Sequence, residues 1–336
     1  MSEIITEKKR DYYFDNVKFV MIVCVILGHT LAHLGRTRLG VAVDSWLYFF
    51  HMPVFIFVSG YFSKRSETRK FIESELKILE TFFIFSVIHI AIRNTWSWRG
   101  FVFPQWSLWY LMSLIWFRAI IQAVGRVTIK WLAISVVISV LVGFIPIGGA
   151  LSFQRTFAFL PFFLAGNYLK NNEDLWVKIK RVNPYLAIAF LLILLIGVFV
   201  IDLPFKRLLE LKFSYKAFSY PLAVSALLRM VLFSLSAFAS ICILRLIPRE
   251  WIIWVSDQGA HTLWYYLYHT LIIIALELIE KKLFALPDAF AWNLLYVAGN
   301  VFLIWLITRI KFFKVLPHLF SYSISSLGCS DVRMIH

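Results

Sequence analysis

The stretch Asp15-Asn16-Val17-Lys18, followed by an apolar run that ends in Gly28-His29-Thr30, decides how this chain folds. Ten mostly apolar residues separate Lys18 from His29. Eleven positions at about 100° each make about three helical turns, so both side chains share one face of the predicted helix. At about 1.5 Å per residue they lie roughly 16 Å apart along its axis. Because an ionisable residue inside a bilayer is costly and usually functional, His29 is our first candidate for the chemistry.

The composition is that of an integral membrane protein. Of the 336 residues, 60% are hydrophobic and 16% are charged, whereas a soluble domain carries about 25% charge. We predict an all-α fold of about ten transmembrane helices with both termini cytoplasmic, because most Lys and Arg residues then lie on the cytoplasmic side. The predicted spans, each long enough for a bilayer, are Val17–Gly35, Trp46–Phe62, Leu76–Ile92, Leu108–Val124, Ile129–Ile147, Ser152–Leu169, Tyr185–Ile201, Leu222–Leu244, Leu263–Ile279 and Trp292–Ile310.

The chain divides into three parts along its length. Residues 1–14 form a polar cytoplasmic arm, residues 15–314 the ten-helix domain, and residues 315–336 a short tail. No small-residue cleavage signature follows the first apolar run, so we interpret that run as an uncleaved helix rather than a signal peptide. The tail is too short to bury a core of its own.

The net charge of +15 raises the question of a nucleic-acid partner. No long basic run or interleaved aromatic patch lies outside the predicted spans, so nucleic acid is excluded as a partner. The charge is assigned instead to topology and to anionic headgroups of membrane lipids. The three cysteines are scattered and give neither a disulfide framework nor a metal-ligand spacing.

Four groups of polar residues in or beside the spans are candidates for function. Asp15 precedes Lys18 by three positions and can form an ion pair with it, although an interfacial lysine with a counter-charge would look the same. His51 precedes Pro53, which would kink the second span and free a carbonyl near Phe49. A histidine that only stabilises this kink remains an alternative. If the first two helices pack antiparallel, His51 faces His29 at a similar depth.

The other two groups are basic. The inner loop Ser63–Lys77 carries a cluster suited to a phosphate-bearing ligand, and an orientation signal explains it equally well: Lys64, Arg65, Arg69 and Lys70. Arg155 begins the sixth span and would be expensive there unless it faces a polar cavity or a carboxylate. The basic outer loop Lys206–Lys216 is an exception to the charge rule and receives no assignment.

These features alone leave two functional classes open. Intramembrane His, Arg and Glu side chains could serve a secondary transporter or exporter of a glycan precursor or small solute as proton relay and counter-charges. They could equally serve a membrane enzyme. A scaffold or sensor would not need Lys18 and His29 on one face.

The order of motifs resembles the membrane acyltransferase 3 family, and within it the branch known as fucose 4-O-acetylase-like. The family's first helix carries Asp-x-x-Arg/Lys and then a histidine, which here are Asp15, Lys18 and His29. The second helix and several later segments are also similar: Phe49–Phe62, Trp109-Tyr110-Leu111, Phe162–Leu169 and Tyr266-Leu267-Tyr268-His269. Two departures are that Lys18 stands where arginine is commoner, and that Arg65 and Arg69 are one residue further apart than the family's Arg-x-x-Arg pair.

The resemblance implies an O-acetyltransferase of the bacterial inner membrane that spans the bilayer several times. Its donor substrate would be acetyl-CoA, entering from the cytoplasm, and no metal would be needed. Its acceptor would be a hydroxyl of a cell-surface glycan or of its lipid-linked sugar precursor.

The residues suit such a reaction. Lys18 and the basic cluster of the inner loop would hold the nucleotide head of acetyl-CoA, while the thin arm extends along the first helix toward His29. Arg155 is a further candidate for binding the donor. A neutral imidazole can remove the proton of a sugar hydroxyl during attack, or can itself carry the acyl group. The developing oxyanion needs donors, for which the candidates are Ser59, Tyr110, His51 and Arg155.

Overall fold

The computed structural model describes residues 12–34, 37–201, 203–282 and 290–310. The predicted tail, residues 315–336, and most of the predicted arm lie outside the described residues. Within the described part the chain is helical throughout, without strands. The helices are α1 Tyr12–Leu34, α2 Arg38–Leu47, α3 His51–Phe62, α4 Thr68–Arg93, α5 Arg99–Val102, α6 Trp109–Val124, α7 Ile129–Leu141, α8 Phe153–Lys170, α9 Glu173–Lys180, α10 Pro184–Val200, α11 Phe205–Leu209, α12 Leu222–Leu246, α13 Val255–Gly259, α14 Thr262–Lys282 and α15 Phe290–Ile307.

Each of the ten predicted spans contains a helix, and six stretches of the described residues are long and apolar enough to cross a membrane by themselves. These are Tyr12–Ala32, Arg38–Phe62, Trp106–Val124, Leu222–Leu246, Thr262–Glu280 and Phe290–Ile307. A bent pair, Asp174–Lys180 with Pro184–Val200, adds a seventh if it is taken as one span. The described chain is therefore a multi-pass helical membrane protein. The count of about ten and the cytoplasmic termini stay predictions.

The second span is interrupted earlier than Pro53. Helix α2 ends at Leu47 and α3 begins at His51, so Pro53 occupies the first turn of α3. A proline is tolerated there, because the first N–H groups of a helix have no intrahelical acceptor. The residues of the break, 48–50, face the interior, and this interruption turns His51 toward the same end of the bundle as His29.

The fifth predicted span is shorter than its apolar sequence suggests. Helix α7 ends at Leu141, and one 3-10 turn carries the chain to Phe144. Pro146 follows and cannot donate to the preceding turn. At Gly143 a side chain would collide with the ring of Tyr215 from the loop before α12. The chain therefore leaves the helix early and reaches the long loop 145–152.

Helices α3 and α8 pack with their backbones in close approach. A Cβ atom at Gly60 would collide with the carbonyl of Phe163, and one at Gly166 would collide with the carbonyl of Phe57. Gly60 of α3 thus lies against the backbone of α8, and Gly166 of α8 lies against the backbone of α3. Small residues allow such close approach in pairs of membrane helices. This contact fixes α8, and with it Arg155, relative to α3 and His51.

Helices α1 and α3 run antiparallel. The ring of Phe14 near the start of α1 lies 4.4 Å from that of Tyr61 and 5.1 Å from that of Phe62, at the end of α3. The end of α1 that carries His29 is accordingly the end at which α3 begins with His51. The antiparallel arrangement expected from the sequence is present.

Candidate functional site

A cavity of about 310 Å³ opens at the end of the bundle that holds His29. Its volume is at the low end of the range for small-molecule sites, about 300–1,000 Å³. Its lining comes from α1, the α2–α3 break, the loops before α6 and α8, and the loop around α11: His29, Ala32, Tyr48, His51, Met52, Phe103, Pro104, Trp106, Trp109, Gly148, Gly149, Ser152, Arg155, Phe159, Lys206, Glu210 and Lys212. Three candidates named from the sequence, His29, His51 and Arg155, therefore meet in one space.

His29 lies on the cavity wall, half-buried, with two rings beside it. The indole of Trp106 is stacked on it at 5.9 Å between centroids, and the imidazole of His269 from α14 lies at 5.2 Å. Gly28, immediately before His29, lies beside the carboxylate of Asp44. A Cβ atom at this position would lie 3.2 Å from Asp44 Oδ1, so the glycine leaves room for that carboxylate. The aromatic contact and the neighbouring helix limit the orientations that the His29 ring can take.

His51 is buried and held by its own helix turn. Its Nδ1 lies 2.5 Å from the carbonyl oxygen of Leu47, so Nδ1 carries a proton and donates it to this acceptor. In the neutral ring Nε2 then has a free lone pair. The ring also packs edge-on against Tyr48, at 4.8 Å between centroids. His51 therefore faces the cavity as a proton acceptor unless it becomes doubly protonated.

His269, which the sequence analysis named only as part of the segment Tyr266-Leu267-Tyr268-His269 and gave no role, also belongs to the site. It is fully buried, and Nδ1 lies 2.9 Å from the carbonyl oxygen of Tyr265, to which it donates. Its Nε2 has no hydrogen-bond partner among the described residues. A buried polar atom left without a partner is costly, so it calls for a functional explanation. The signal was available in the sequence, because His269 is an ionisable residue within a predicted span.

Arg155 projects from the first turn of α8 into the same cavity. Its guanidinium lies over the ring of Trp109 at 4.6 Å, and Nε donates to the carbonyl oxygen of Glu210 at 3.2 Å. No carboxylate in the described chain lies within ion-pair distance of it. The cost expected for an arginine in this helix is met by a polar cavity, the first of the two environments named from the sequence.

The basic outer loop Lys206–Lys216 is part of the cavity wall. Lys206 pairs with Asp44 of α2 at 2.6 Å between Nζ and Oδ2, and Lys212 pairs with Glu210 at 2.8 Å. Both lysines line the cavity. The stretch left without an assignment therefore covers the cavity, and its two cavity-lining lysines, Lys206 and Lys212, already have counter-charges.

Ser59 and Tyr110 form a hydrogen-bonded pair of hydroxyls, and neither lines the cavity. Ser59 lies eight residues beyond His51 along α3, which places the pair deeper in the bundle, toward Lys18. The ring of Tyr110 lies 5.5 Å from that of Tyr266, which in turn lies 6.3 Å from that of His269. A column of polar aromatic groups therefore extends inward from the histidines.

At the opposite end of α1, Lys18 and Asp15 form the predicted ion pair, with 2.8 Å between Nζ and Oδ1. The adjacent Asn16 is fully buried and holds the loop between α12 and α13. It donates to the carbonyl oxygens of Pro248 and Glu250, at 3.1 and 2.9 Å, and accepts from Ser256 at 2.6 Å. Asn16, to which the sequence analysis gave no role, therefore fixes the surroundings of Lys18.

The inner basic cluster is exposed. Lys64 and Arg65 lie on the surface, Arg69 pairs with Glu73 at 3.0 Å, and Lys70 pairs with Glu67 at 3.4 Å. Such exposed pairs are weak and exchange readily with a better anion. No side chain of this cluster lines the cavity. The structure separates the two sets of predicted residues by most of the depth of the bundle.

The face of α1 between Lys18 and His29 is packed. Ile22 is fully buried and Val25 is 5% exposed, and both belong to the core that includes Tyr110 and Tyr266. In this conformation the shared face predicted from the sequence is a line of packed side chains rather than an open channel.

Two neighbouring histidines and a guanidinium beside a cavity at one end of the helical bundle form a candidate site for proton transfer. Residues 11–309 match an acyltransferase domain, that of the acyltransferase 3 family, and the chain belongs to this family. It is a membrane acyltransferase. A search of curated proteins and a search of solved structures each give no match. The fucose 4-O-acetylase-like branch stays a prediction.

Proposed function

We propose that the protein transfers an acetyl group from cytoplasmic acetyl-CoA to a hydroxyl of a cell-envelope glycan or its lipid-linked precursor at the bacterial inner membrane. The observation that carries the proposal is the position of His29: it lies on the cavity wall, on the same helix face as the ion-paired Lys18 at the other end of α1. A single continuous helix thus links a charged donor entrance to a reaction cavity.

In the proposed reaction His29 accepts the proton of the acceptor hydroxyl as its oxygen attacks the thioester carbonyl. The carbon–sulfur bond then breaks, and the thiolate of coenzyme A takes up the proton from His29. Alternatively, a His29 nitrogen attacks the thioester first, releases coenzyme A and passes the acetyl group to the hydroxyl. Both routes need the His29 ring held at a fixed angle, which Trp106 and His269 supply.

His269 acts in this proposal as a positioning residue. Its proton is held on Nδ1 by the carbonyl of Tyr265, so Nε2 offers a lone pair beside the His29 ring. A lone pair at that place favours the His29 orientation in which an N–H faces α14 and the other nitrogen faces the cavity. In this proposal the second nitrogen accepts the proton of the acceptor hydroxyl.

Lys18 and the inner basic cluster hold the phosphates of the donor in this proposal. Lys18 is a point charge kept in place by Asp15, and the exposed cluster Lys64, Arg65, Arg69 and Lys70 supplies further charge. Lys70 and Arg69 exchange weak partners for phosphate oxygens, which are stronger acceptors. The arm of the donor then extends along the face of Ile22 and Val25, whose side chains must move to admit it.

The proposal is tested by calorimetric titration of the purified protein with acetyl-CoA. Saturable binding is expected, weakened in Lys18→Ala and unchanged in Lys216→Ala, which removes an equal charge at the far end. Absence of binding at millimolar donor would contradict the proposal and would favour a transporter, for which uptake of lipid-linked sugar into proteoliposomes is the direct assay. Rapid quenching with radiolabelled acetyl-CoA and no acceptor distinguishes the two routes, because only the relay labels the protein.

A further inference from the structure

The N-terminus of α8 meets the cavity with several features of an anion site. The first turn of an α-helix has N–H groups without intrahelical partners and a positive end of the helix dipole. Gly148, Gly149 and Ser152, which precede α8, line the cavity together with Arg155 of its first turn. Helix α8 has 18 residues, so its dipole is fully developed.

Ser152 gives an independent indication of a ligand. Its side chain is 2% exposed, and its Oγ has no hydrogen-bond partner among the described residues although it lines the cavity. A buried hydroxyl normally has a hydrogen-bond partner, and leaving it without one is costly. The Oγ atom itself is not exposed to the cavity, but the residue lies in the cavity wall, so rotation about the Cα–Cβ bond lets the hydroxyl donate to a bound group.

The backbone at this point is strained. Leu151 and Ser152 both have left-handed conformations, with φ of 47° and 56°. The left-handed conformation is unfavourable in a residue other than glycine, and such strain tends to lie at binding sites. Here it places the Ser152 hydroxyl and the start of α8 at the cavity instead of within a regular cap.

One positive charge remains in the cavity after its ion pairs are counted, and Arg155, on which the Glu210 carboxylate also acts electrostatically, is the cation outside those pairs. Lys206 and Lys212 are neutralised by Asp44 and Glu210, whereas Arg155 uses only Nε, toward a backbone carbonyl. In the described chain both of its Nη groups are without partners, and Trp109 holds the plane of the guanidinium. A planar fork of this kind binds two oxygens of a carboxylate or phosphate.

We propose that the acceptor carries an anionic group, a carboxylate or a phosphate, that binds to Arg155, the Ser152 hydroxyl and the N-terminal turn of α8. This inference rests on the proposed function and specifies its substrate class: an acidic sugar or a sugar phosphate. Bound there, the anion places a hydroxyl of the same sugar against His29 and His51, while Trp106 and Trp109 cover its apolar face.

The test measures binding without acetyl-CoA, so that it does not depend on catalysis. The purified protein in neutral detergent is titrated with methyl β-glucuronide, its neutral methyl ester, glucose 1-phosphate and methyl β-glucoside. At least about tenfold tighter binding of one or both anions than of the neutral sugars is expected, which corresponds to one charge-assisted contact. Tighter glucuronide identifies an acidic sugar, and tighter glucose 1-phosphate a phosphate-linked one.

Three variants locate the site. Arg155→Gln should abolish the preference for the anion. Ser152→Gly should reduce it by about threefold or more while relieving the left-handed strain, so that loss of binding is not a folding defect. Arg207 is an exposed arginine of the outer loop Lys206–Lys216 and does not line the cavity, so Arg207→Gln should leave the preference for the anion unchanged.

Equal affinities for the glucuronide and its neutral methyl ester, together with no preference for glucose 1-phosphate over methyl glucoside, would overturn the inference in the wild-type protein alone. Tighter binding of dihexanoyl phosphatidylglycerol than of either sugar anion would also overturn it, because Arg155 would then hold a lipid headgroup. A preference for the sugar anions in a protein that does not bind acetyl-CoA would leave the site in place and refute the proposed function.

Discussion

The imidazole rings of His29 and His269 lie 5.2 Å apart, and the second ring presents a nitrogen that has no partner in the described chain. A third buried histidine shows what a purely structural role looks like. In His89, Nδ1 lies 2.8 Å from the carbonyl oxygen of Phe85, and Nε2 lies 3.0 Å from Oγ1 of Thr270. His269 differs because only its Nδ1 is hydrogen-bonded, while its Nε2, in the ring beside the proposed base His29, has no partner among the described residues.

Replacing His29 should remove activity and leave the fold intact. We expect His29→Ala to lower kcat/KM for acetyl transfer by at least about 10²–10⁴-fold, the usual contribution of a positioned base. His29→Gln, which keeps polarity without basicity, should behave in the same way. Transfer is measured as release of free coenzyme A thiol in the presence of acceptor, beside the thermal unfolding midpoint of each variant.

The matched control for His29 is His261→Ala, an exposed histidine before α14 at the far end of the bundle. It should retain full activity. Wild-type rates in a well-folded His29→Ala protein would refute the assignment of the base.

Replacing His269 should alter the protonation behaviour of the reaction. We expect His269→Ala to lower kcat by about 10–100-fold with little change in KM for acetyl-CoA, because the His29 ring loses the lone pair that orients it. The acid limb of the pH–rate profile should shift, which a packing defect alone would not produce. His269→Gln, which can still offer a carbonyl lone pair, should recover part of the rate.

His89→Ala provides the comparison for this prediction. It should lower the unfolding midpoint, since it removes two buried hydrogen bonds, but leave the pH–rate profile of the folded protein unchanged. Identical profiles for wild type and His269→Ala would contradict the positioning role.

The charge at position 18 should govern donor affinity. We expect Lys18→Met to weaken acetyl-CoA binding by about 10–100-fold, the range for one charge-assisted contact, and to leave acceptor binding unchanged. Lys18→Arg should bind the donor at least as well as wild type, because arginine adds a fork that matches phosphate. Asp15→Asn should have an intermediate effect, since it keeps the ammonium but frees it to move. Equal donor affinity in Lys18→Met and wild type would exclude Lys18 from the entrance.

Two glycines should be indispensable for the packing of α3 on α8. Gly60→Ala and Gly166→Ala each place a methyl group within the backbone of the other helix, so we expect both to lower the unfolding midpoint sharply or to prevent folding. Gly197→Ala in α10 meets no atom within 4 Å and should be neutral or stabilising, by up to about 1 kcal/mol, because alanine favours helix. A similar midpoint for all three variants would show that the close approach is not required.

The ion pair between Lys206 and Asp44 should hold the outer loop onto α2. We expect Asp44→Asn and Lys206→Gln each to lower the unfolding midpoint, and the double variant to lower it by less than the two effects together. The reason is that removing one partner leaves the other charge poorly solvated. Fully additive effects in this cycle would mean that the contact contributes nothing to stability.

The sequence alone predicted the helical class, the position of all ten apolar segments and the Asp15–Lys18 pair, because these depend on local patterns. Periodicity along one helix is enough to place Lys18 and His29 on one face. The meeting of His29, His51 and Arg155 in one cavity depends on how three helices pack. The sequence allowed only the relation between His29 and His51 to be anticipated, on the condition that α1 and α3 pack antiparallel.

The roles of other residues could not be read from local patterns. His269 lies 240 residues from His29 in the chain, so no spacing rule connects them. Ser152 is inconspicuous in sequence, and only its buried, unpartnered hydroxyl in the folded chain sets it apart. The second span breaks before Pro53, between Leu47 and His51. The reason is that a proline disturbs the helical turn that precedes it, whereas it is tolerated in the first turn of the helix that follows.

The packing of Ile22 and Val25 between the two ends of α1 has an electrical consequence. A membrane at about 100 mV drives each elementary charge with about 2.3 kcal/mol, so a standing water-filled path would discharge it. In this conformation the packed side chains of Ile22 and Val25 close the face of α1 to such a path. In the proposed reaction the arm of the donor displaces these two side chains and fills the space that they leave, so the acyl group crosses without opening a water-filled path.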